Sequence, residues 1–569
     1  MHKSKAGLTA LICILLTASF LRLVFISRGD TINDEVLYAF RAIGMLDFDE
    51  AAEQTTPLEW WDTKASGGKY EIPWWTRLSF HDHPPLVFLI QHFFMRIFGE
   101  HAWAFRLPSA LFGIASVLLL YLIGKELYSK NTGLVAAGLL AITVNHVYIS
   151  RVGLQESYVL FFILLASYLF LRAQKNDTCY LWTGTALGLG FLTKYNTFIL
   201  VPIFLTYLLL CNRSAFRNKK FWLGALFALV IFTPVIVYNI ELYRAVGHFD
   251  FQFSFIFRQY PKVWGVTPGK EIGGLSDRIH NFPIHLFETN SWVLLALFLA
   301  SLVVFFVQTA LSLRKTILVR HALFALSIIW LLALFSFIGT SYRFLSMLTP
   351  FIVLVASLPL AWLFENRIKT AITVFALIAS FEIFYTVNSL ITYYPRSSWP
   401  VAYSKVRDET YNWGYNALDK FVSQELTGKM PAVAFQQKYE FLERIHETAL
   451  KDALTAKLPS DAEIIIYDGN VNSLAQLWTL DRWQVYHAWP VVRTESYLEY
   501  LEANRIQDIQ KDGFGKRYFI IPTDTVPQKR AEKKTEVGTA FARELESQNI
   551  TPRELKNKRG ETAFRIYEF

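Results

Sequence analysis

Cysteine is scarce in this sequence, and the positions of the few cysteines exclude two kinds of site. The 569 residues include three, Cys13, Cys179 and Cys211, each in or beside an apolar run. None has the spacing of a metal-binding motif, and none lies in the long polar regions where a disulfide would form. We therefore expect neither a disulfide framework nor a cysteine-ligated metal.

Charged residues are also few. Only 18% of the residues are Asp, Glu, Lys or Arg, whereas 53% are hydrophobic, and the mean hydropathy is +0.28. Such a chain is too apolar for an ordinary soluble protein and is typical of a polytopic membrane protein. The net charge of +9 would favour nucleic acid if it were clustered on one domain, but the basic residues punctuate apolar runs. We therefore expect no nucleic-acid partner.

Apolar runs recur from the N-terminus to about residue 390, and we predict about eleven transmembrane helices from them. These runs cover approximately 7–26, 107–123, 134–149, 158–171, 181–192, 198–210, 221–240, 292–307, 322–338, 344–364 and 371–390. Lysine and arginine gather at alternate gaps, including the N-terminus, 213–220 and 367–369, which the positive-inside rule assigns to the cytoplasm. The sequence predicts a multi-pass protein of the plasma or inner membrane with a cytoplasmic N-terminus.

The segment 86–98 is an exception to this pattern. It looks like a span, but counting it as one would place every later basic cluster on the wrong side of the membrane. As a helix it would be about 20 Å long, against a hydrocarbon core of about 30 Å. We predict instead an amphipathic helix in the exoplasmic interface, begun by Pro84 and Pro85.

From about residue 392 the composition becomes that of a soluble domain. Strand-type runs occur at 464–467, 485–486, 518–521 and 563–567, and helical patterns at 439–454, 496–504 and 529–546. The predicted fold is a polytopic α-helical membrane core over 1–390, with exoplasmic loops at 29–105 and 241–290, and an exoplasmic α/β domain over 391–569. This domain has no glycine-rich phosphate fingerprint, and we assign it no chemistry.

The adjacent acids Asp34 and Glu35 lie in the first long polar interruption and have two interpretations. A partly desolvated carboxylate at the membrane surface has the raised proton affinity that a general base needs near neutral pH, and its neighbour would support it. Alternatively, Thr31-x-x-Asp34 is a capping-box pattern before an amphipathic helix. The residues alone leave both open.

The motif His81-Asp82-His83-Pro84-Pro85 is equally ambiguous. It is either a proline-stiffened turn that caps the following helix, or a polar site just above the bilayer. In the second case His83 would bind a phosphate, and His81 with Asp82 would ligate a divalent metal. No other cofactor is expected, and the metal is left open because a third ligand is not evident.

Four cations end different spans on the exoplasmic side, which is the wrong side for topology signals: Arg106, Arg151, Lys194 and Arg343. A single one is commonly a snorkelling anchor, but four together suit an anionic lipid headgroup. The loop 241–290, which includes Arg258 among aromatic residues, is either a solvated loop with an interface belt or an element that closes over a substrate.

Several motifs together resemble the membrane core of GT-C glycosyltransferases. They are His83-Pro84-Pro85-Leu86, Phe98-Gly99-Glu100, Arg106-Leu107-Pro108-Ser109-Ala110, Ser150-Arg151 through Glu156, and Leu192-Thr193-Lys194-Tyr195. The resemblance covers about residues 1–390. It is strongest to the group that includes protein O-mannosyltransferases and the lipid A aminoarabinose transferase.

This resemblance implies transfer of a hexose or pentose from a polyprenyl-phosphate donor in the membrane lipid to an acceptor glycan, lipid or protein. The transfer would occur on the exoplasmic face and invert the anomeric carbon. Asp34 would accept the acceptor's proton, Glu35 would support it, and Glu156 would match the acid of the second exoplasmic loop. The residues expected to bind the donor and its lipid phosphate are His83, Arg151, Lys194, Arg343 and Arg258.

Two departures from these families bear on the substrate. Protein O-mannosyltransferases follow His-Pro-Pro-Leu with Gly-Lys, whereas this chain has Val87-Phe88, which disfavours a protein acceptor. Aminoarabinose transferases carry Glu-Lys before Pro-Pro, whereas this chain has Asp82-His83. Asp82 matches an acid that can hold zinc in those enzymes, and His83 would make activity fall above about pH 7. The alternative function is a polyprenyl-lipid flippase or transporter, although the two halves of the chain do not mirror each other.

Overall fold

The computed structural model of the protein describes residues 2–47, 58, 61, 72–261, 273–311, 315–396, 399–507, 509–529 and 534–569. Parts of the predicted loops 29–105 and 241–290 and of the predicted helix 529–546 therefore lie outside the described residues. The chain forms two compact units. The first comprises Met1–Ser27 and Arg77–Asp408, and the second comprises Arg28–Thr76 and Glu409–Phe569. The predicted boundary at residue 390 thus falls inside the first unit.

The helices are numbered here in chain order. They are α1 (His2–Leu23), α2 (Glu35–Gly44), α3 (Leu86–Phe98), α4 (Ala102–Leu127), α5 (Lys130–Ile142), α6 (Val144–Arg151), α7 (Glu156–Ala173), α8 (Cys179–Phe191), α9 (Leu200–Cys211), α10 (Lys219–Val246), α11 (Phe251–Ile256), α12 (Leu275–Thr289), α13 (Trp292–Leu311), α14 (Lys315–Ile338), α15 (Thr349–Asn366), α16 (Ile368–Leu390), α17 (Tyr415–Leu426), α18 (Glu440–Thr455), α19 (Ser473–Gln476), α20 (Arg482–His487), α21 (Thr494–Ala503) and α22 (Val537–Ser547).

The first unit contains the membrane spans. Within the described residues, seven helices are long and apolar enough to cross a bilayer, and α5 with α6, bent by 59°, would make an eighth. Each of the eleven apolar runs falls on a helix, and the helices of the three remaining runs are α8, α9 and α13. The predicted class, a multi-pass α-helical membrane protein followed by a region with a β-sheet, is confirmed.

Helix α3 has the amphipathic character predicted for 86–98, since one face is buried and the opposite face is open. Val87, Phe88 and Gln91 are fully buried, whereas Leu89 and Phe93 are exposed. The side-chain amide of Gln91 donates to the Gly153 carbonyl at 2.7 Å. The exposed face is apolar, which suits contact with lipid.

The break between α5 and α6 exposes carbonyl groups that the rest of the unit satisfies. Arg22, which is fully buried, donates to the carbonyls of Leu140 and Ala141 at 3.3 and 2.9 Å, and the Thr386 hydroxyl donates to that of Ile142 at 2.6 Å. A cation is favourable at a helix C-terminus because the last carbonyls carry partial negative charge. The carbonyl groups of Leu140, Ala141 and Ile142 at the break are therefore hydrogen-bonded within the first unit.

The second unit is built on a five-stranded sheet. Its strands are β3 (Glu463–Tyr467), β4 (Val491–Arg493), β5 (Lys516–Pro522), β6 (Arg553–Lys556) and β7 (Thr562–Glu568), while β1 (Met430–Pro431) and β2 (Ser460–Asp461) form a separate parallel pair. The sheet has the order β4-β3-β5-β7-β6, with β3 parallel to β4 and β5, and β7 antiparallel to β5 and β6. Alternate residues of β3 enter two separate cores, one on each face.

The sequence located three of these strands and misassigned a fourth. The runs 464–467, 518–521 and 563–567 coincide with β3, β5 and β7, but 485–486 lies in helix α20, and the edge strand β4 begins at Val491. That prediction was wrong because a two-residue apolar run has no period, and Val485 and Tyr486 are buried by tertiary packing.

Candidate functional site

A buried ion pair in the first unit involves two of the predicted site residues. The Lys194 ammonium lies 2.7 Å from Oε1 of Glu156, and both side chains are nearly inaccessible to solvent. Glu156 is the first residue of α7, and Lys194 follows α8. Arg343 lies close enough to act electrostatically on the same carboxylate, and the next residue, Phe344, has its ring 5.2 Å from the Lys194 ammonium.

These three residues carry two positive charges and one negative charge. Oε2 of Glu156 is buried, and among the described residues it has no hydrogen-bond partner. The side-chain amide of Gln155, the residue before α7, is also fully buried, and neither its oxygen nor its nitrogen has a partner in the described parts of the chain. The start of α7 adds the partial positive charge of a helix N-terminus. The Glu156 carboxylate is thus held beside two cations and a helix N-terminus.

Arg151 has structural hydrogen bonds that bear on its predicted role. Its guanidinium donates to the carbonyls of Leu21 and Phe25, both at 2.8 Å, and Arg106 donates to the carbonyl of Ile26 at 3.0 Å. Two arginines from separate helices thus compensate the carbonyl groups at the end of α1. Binding of the lipid phosphate by Arg151 stays a prediction.

The motif at residues 81–83 forms a compact polar cluster. Nδ1 of His83 lies 3.0 Å from Oδ2 of Asp82. His81 is fully buried, and its carbonyl accepts a hydrogen bond from the amide of Phe251 at 2.7 Å. The motif therefore anchors the beginning of the 241–290 loop.

Asp250 makes the same connection from the loop side. Its carboxylate accepts hydrogen bonds from the Tyr195 hydroxyl at 2.5 Å, the Asn239 amide at 3.0 Å and the backbone amide of Phe253 at 2.8 Å. Burial raises the pKa of Asp250 to about 6, these hydrogen bonds oppose the rise, and the charge of Asp82 adds to it. Since Tyr195 directly follows Lys194, Asp250 ties the loop to the segment that carries the buried cation.

Helix α12, at the other end of the loop, is tied to the segment before Arg343. Glu288 accepts hydrogen bonds from the Tyr342 hydroxyl and the Lys405 ammonium, both at 2.5 Å. Burial opposes ionisation there, but these two bonds lower the pKa of Glu288 overall. Arg258, in contrast, is exposed, and its side chain makes no hydrogen bond or ion pair with another described residue.

The acid pair lies in the second unit. Glu35 begins α2 and is fully buried, and Asp34 precedes it as the half-buried N-cap residue without a side-chain capping bond. The amide of Glu35 instead donates to the side chain of Asn33 at 2.9 Å, and the Thr31 hydroxyl has no partner among the described residues. The alternative interpretation of Thr31 to Asp34 as a capping box is therefore wrong.

The carboxylate of Asp30, which the sequence analysis did not identify, binds the segment before α2 to the C-terminal region. Asp30 is fully buried and accepts backbone amides from four consecutive residues, Trp413 to Asn416, at 2.7 to 3.0 Å. Burial raises the pKa of Asp30, and the four amides act in the opposite direction. Asp30 thus caps the N-terminus of α17 from a distant part of the chain. The close approach requires glycine next to it, because a Cβ at Gly29 would lie 2.6 Å from the Thr410 carbonyl oxygen.

The structure does not assemble a metal centre from the described residues. In those residues no three His, Cys, Asp or Glu side chains are grouped as a divalent ion would need. His81 and Asp82 adjoin in sequence, and a metal held by them stays a prediction.

Besides Asp30, sequence reasoning missed Asp250 and Gln155. Asp250 had a usable signal, because Asp before a short apolar helix is an N-cap pattern, and its side chain does accept from the amide of Phe253. Gln155 and Asp30 had none, since their importance follows from burial and from residues far away in the chain.

Comparison with known proteins supports the membrane core. Residues 82–238 match the family described as dolichyl-phosphate-mannose-protein mannosyltransferase. Two Bacillus subtilis strain 168 proteins for which mannosyltransferase activity is proposed are similar: YkcB is 29% identical over 42% of this chain and 32% of its own length, and YycA is 32% identical over 38% and 30%. The aligned region thus spans about a third of the length of the curated relatives it matches.

The whole chain also matches solved structures. ArnT from Cupriavidus metallidurans in the apo state gives a TM-score of 0.54 at 13% identity, covering 100% of this chain and 98% of ArnT. ArnT bound to undecaprenyl phosphate gives a TM-score of 0.53 at 14% identity, covering 99% and 97%. At this identity the match shows the fold. Together with the matched family and relatives, it supports a glycosyltransferase of the GT-C type.

Proposed function

We propose that the protein is an inverting glycosyltransferase that moves one sugar from a polyprenyl-phosphate donor to an acceptor on the exoplasmic face of the cell membrane. The observation that carries this proposal is the convergence of the nearly buried Lys194 and the half-buried Arg343 on Glu156 at the start of α7. A lipid phosphate is an anion of the kind that two converging cations bind.

The reaction needs little else from the protein. The lipid phosphate is a good leaving group, so the barrier falls through positioning, deprotonation of the acceptor and stabilisation of the charge that develops on the phosphate. In our proposal the phosphate is bound by Lys194, Arg343, Arg151 and His83. Arg258, in the 241–290 loop, also contacts the donor. The acceptor hydroxyl bonds to the anomeric carbon while the bond from that carbon to the phosphate oxygen breaks.

Asp34 is the proposed base, and it takes the proton of the acceptor hydroxyl. Glu35 supports Asp34, and Glu156 keeps Lys194 oriented toward the phosphate. The support for Asp34 is its residue type, its place in the motif that resembles the family, and a segment held in a fixed conformation by Asp30. The acceptor is a glycan, a lipid or a protein, and Val87-Phe88 disfavours the last.

The test uses the purified full chain with polyprenyl-phosphate [14C]mannose and follows release of the sugar to a membrane-lipid and glycan acceptor fraction. Asp34→Asn should reduce turnover by at least about 100-fold, the typical contribution of a general base, and leave donor binding unchanged. Asp524→Asn, which changes an exposed acid, is the matched control. Unaltered turnover in Asp34→Asn would refute the base assignment.

A flippase is the second candidate, because the bent pair α5 and α6 is the type of discontinuous span that transporters use. The carbonyls at this break accept hydrogen bonds from Arg22 and Thr386 and are not available to a transported ion. In proteoliposomes, translocation of a fluorescent polyprenyl phosphate without sugar transfer would favour the flippase.

A further inference from the structure

A pocket of about 400 Å³ opens at the edge of the sheet in the second unit, beside β4. Residues 435–439 form one side, and helices α18, α20 and α21 form the others. Its volume falls in the range of about 300–1,000 Å³ that is typical of small-molecule sites. All of its lining residues belong to the second unit.

Aromatic rings form the walls of this pocket. The rings of Phe435 and Tyr500 meet edge to face, with centroids 5.1 Å apart and planes at 67°, and Tyr439 lines the pocket next to them. The Tyr500 hydroxyl donates to the carbonyl of Asp512 at 3.0 Å, which holds that ring in place. The pocket therefore offers fixed apolar surfaces at an angle to one another.

Neutral polar groups complete the lining. The side chains of Gln436, Gln484 and Ser496 line the pocket, and none of them makes a hydrogen bond with another residue in the described chain. Each amide offers two donors and an acceptor, and the hydroxyl offers both functions. Lys438 has its ammonium 4.8 Å from the centroid of the Tyr439 ring, a cation–π distance.

The charged groups in the lining limit which chemical classes of ligand the pocket could bind. Among the described residues the lining contains no carboxylate, so it does not suit a cation. The one ammonium that these residues bring to the lining is associated with a ring, so the pocket does not suit a phosphate. The position where α/β domains bind nucleotides, the carboxyl ends of β3 and β5, is filled by protein. There Asp468 follows β3, and a Cβ at Gly538 of α22 would lie 2.5 Å from its Cγ.

We infer that this pocket binds a neutral sugar residue. A pyranose presents C–H faces that pack on aromatic rings and hydroxyl groups that pair with amides and hydroxyls, and the pocket combines both kinds of partner. Binding itself does not require the transfer reaction. That the sugar is a unit of the acceptor or product glycan rests on the proposed function.

The experiment measures saturation-transfer NMR on the full chain in detergent, with methyl α-D-mannopyranoside, methyl α-D-glucopyranoside, methyl β-D-galactopyranoside and N-acetylglucosamine as separate probes. At least one should bind, and Tyr439→Leu and Gln484→Leu should each weaken it about tenfold. Leu498→Ala changes an exposed residue of α21 outside the lining and should have no effect.

Further variants separate this site from the proposed transfer site. Lys194→Gln, at a temperature where its thermal unfolding curve shows it folded, should retain sugar binding while transfer is lost. Loss of the NMR signal in the folded variant would assign the signal to the transfer site and overturn the inference. Absence of binding by all four sugars, or stronger binding of tetra-alanine, would also overturn it. Sugar binding in a wild-type chain without transfer would overturn the proposed function alone.

Discussion

The two units of the protein compensate buried charges in different ways. In the second unit, two of the buried arginines are paired with carboxylates: Arg517 lies 2.5 Å from Asp512, and Arg482 lies 2.6 Å from Asp419. In the membrane unit, Arg22, Arg106 and Arg151 bind backbone carbonyls at helix ends. Acids are costly within a bilayer, whereas carbonyls at helix ends are present in any case.

This difference makes the surroundings of Glu156 unusual. Glu156 is a buried acid of the membrane unit, and both Lys194 and Arg343 act on it. We propose that these two cations also bind an anionic ligand. The variants below test this proposal and the anchoring contacts of both units.

Lys194→Met should have the largest effect. Removing Lys194 deprives the buried Glu156 carboxylate of its hydrogen-bonded partner and leaves Arg343 as the cation that acts on it. We therefore expect a cost of about 3 kcal/mol of unfolding free energy, the lower end for a broken buried ion pair, together with loss of transfer. Thermal unfolding in detergent and the transfer assay measure the two effects. Lys219→Met, at an exposed lysine, is the control.

The double variant Glu156→Gln with Lys194→Met sharpens this result. If Lys194 serves binding of the anion, the double variant should recover stability and stay inactive. Recovery of both stability and activity would mean that the pair is only structural.

Asp30→Ala should have the next largest effect on stability. It removes the acceptor of four backbone amides at the start of α17, and we expect a loss of about 2 kcal/mol and faster proteolysis of residues 28–47. Asp30→Asn should lose less, because it keeps one acceptor oxygen. Urea unfolding and timed proteolysis measure this, and equal behaviour of Asp30→Ala and Asp524→Ala would contradict the anchoring role.

The proposed role of His83 involves a charge that would depend on pH. Because histidine titrates near neutrality, transfer should fall about tenfold between about pH 7 and about pH 9 if His83 binds the phosphate. His83→Lys should flatten this profile, whereas His280→Lys, at an exposed histidine, should not. A wild-type rate that is constant over this range would remove His83 from the phosphate site.

Asp250 should give the smallest effect, on stability alone. Its pKa is raised to about 6 by burial, so between the ordinary aspartate value and about 6 the folded state holds a proton that the unfolded state has lost. Stability should therefore fall as pH rises through this window and level off above it. Asp250→Asn cannot titrate, so the slope should disappear, and thermal unfolding at a series of pH values measures it. An unchanged slope would show that another group is responsible.

Part of this structure was predictable from local sequence. Helix α3 and strands β3, β5 and β7 lie where the sequence indicated, since an apolar run with a clear period and clear ends folds similarly in most contexts. The ion pair between Glu156 and Lys194 was predictable only in part. Glu156 and Lys194 were recognised as site residues, but their direct contact was not, because it depends on how α7 and α8 pack.

The sequence by itself determined that the chain crosses the membrane many times, because a hydrocarbon layer requires long apolar helices whatever their neighbours. Only the tertiary structure decided that Asp30 caps α17, that Arg151 binds the end of α1, and that Glu156 has a buried oxygen without a partner among the described residues. The first two are contacts between residues more than a hundred positions apart, and no local pattern encodes them. They follow from packing, which leaves each buried polar group to find its partner in space.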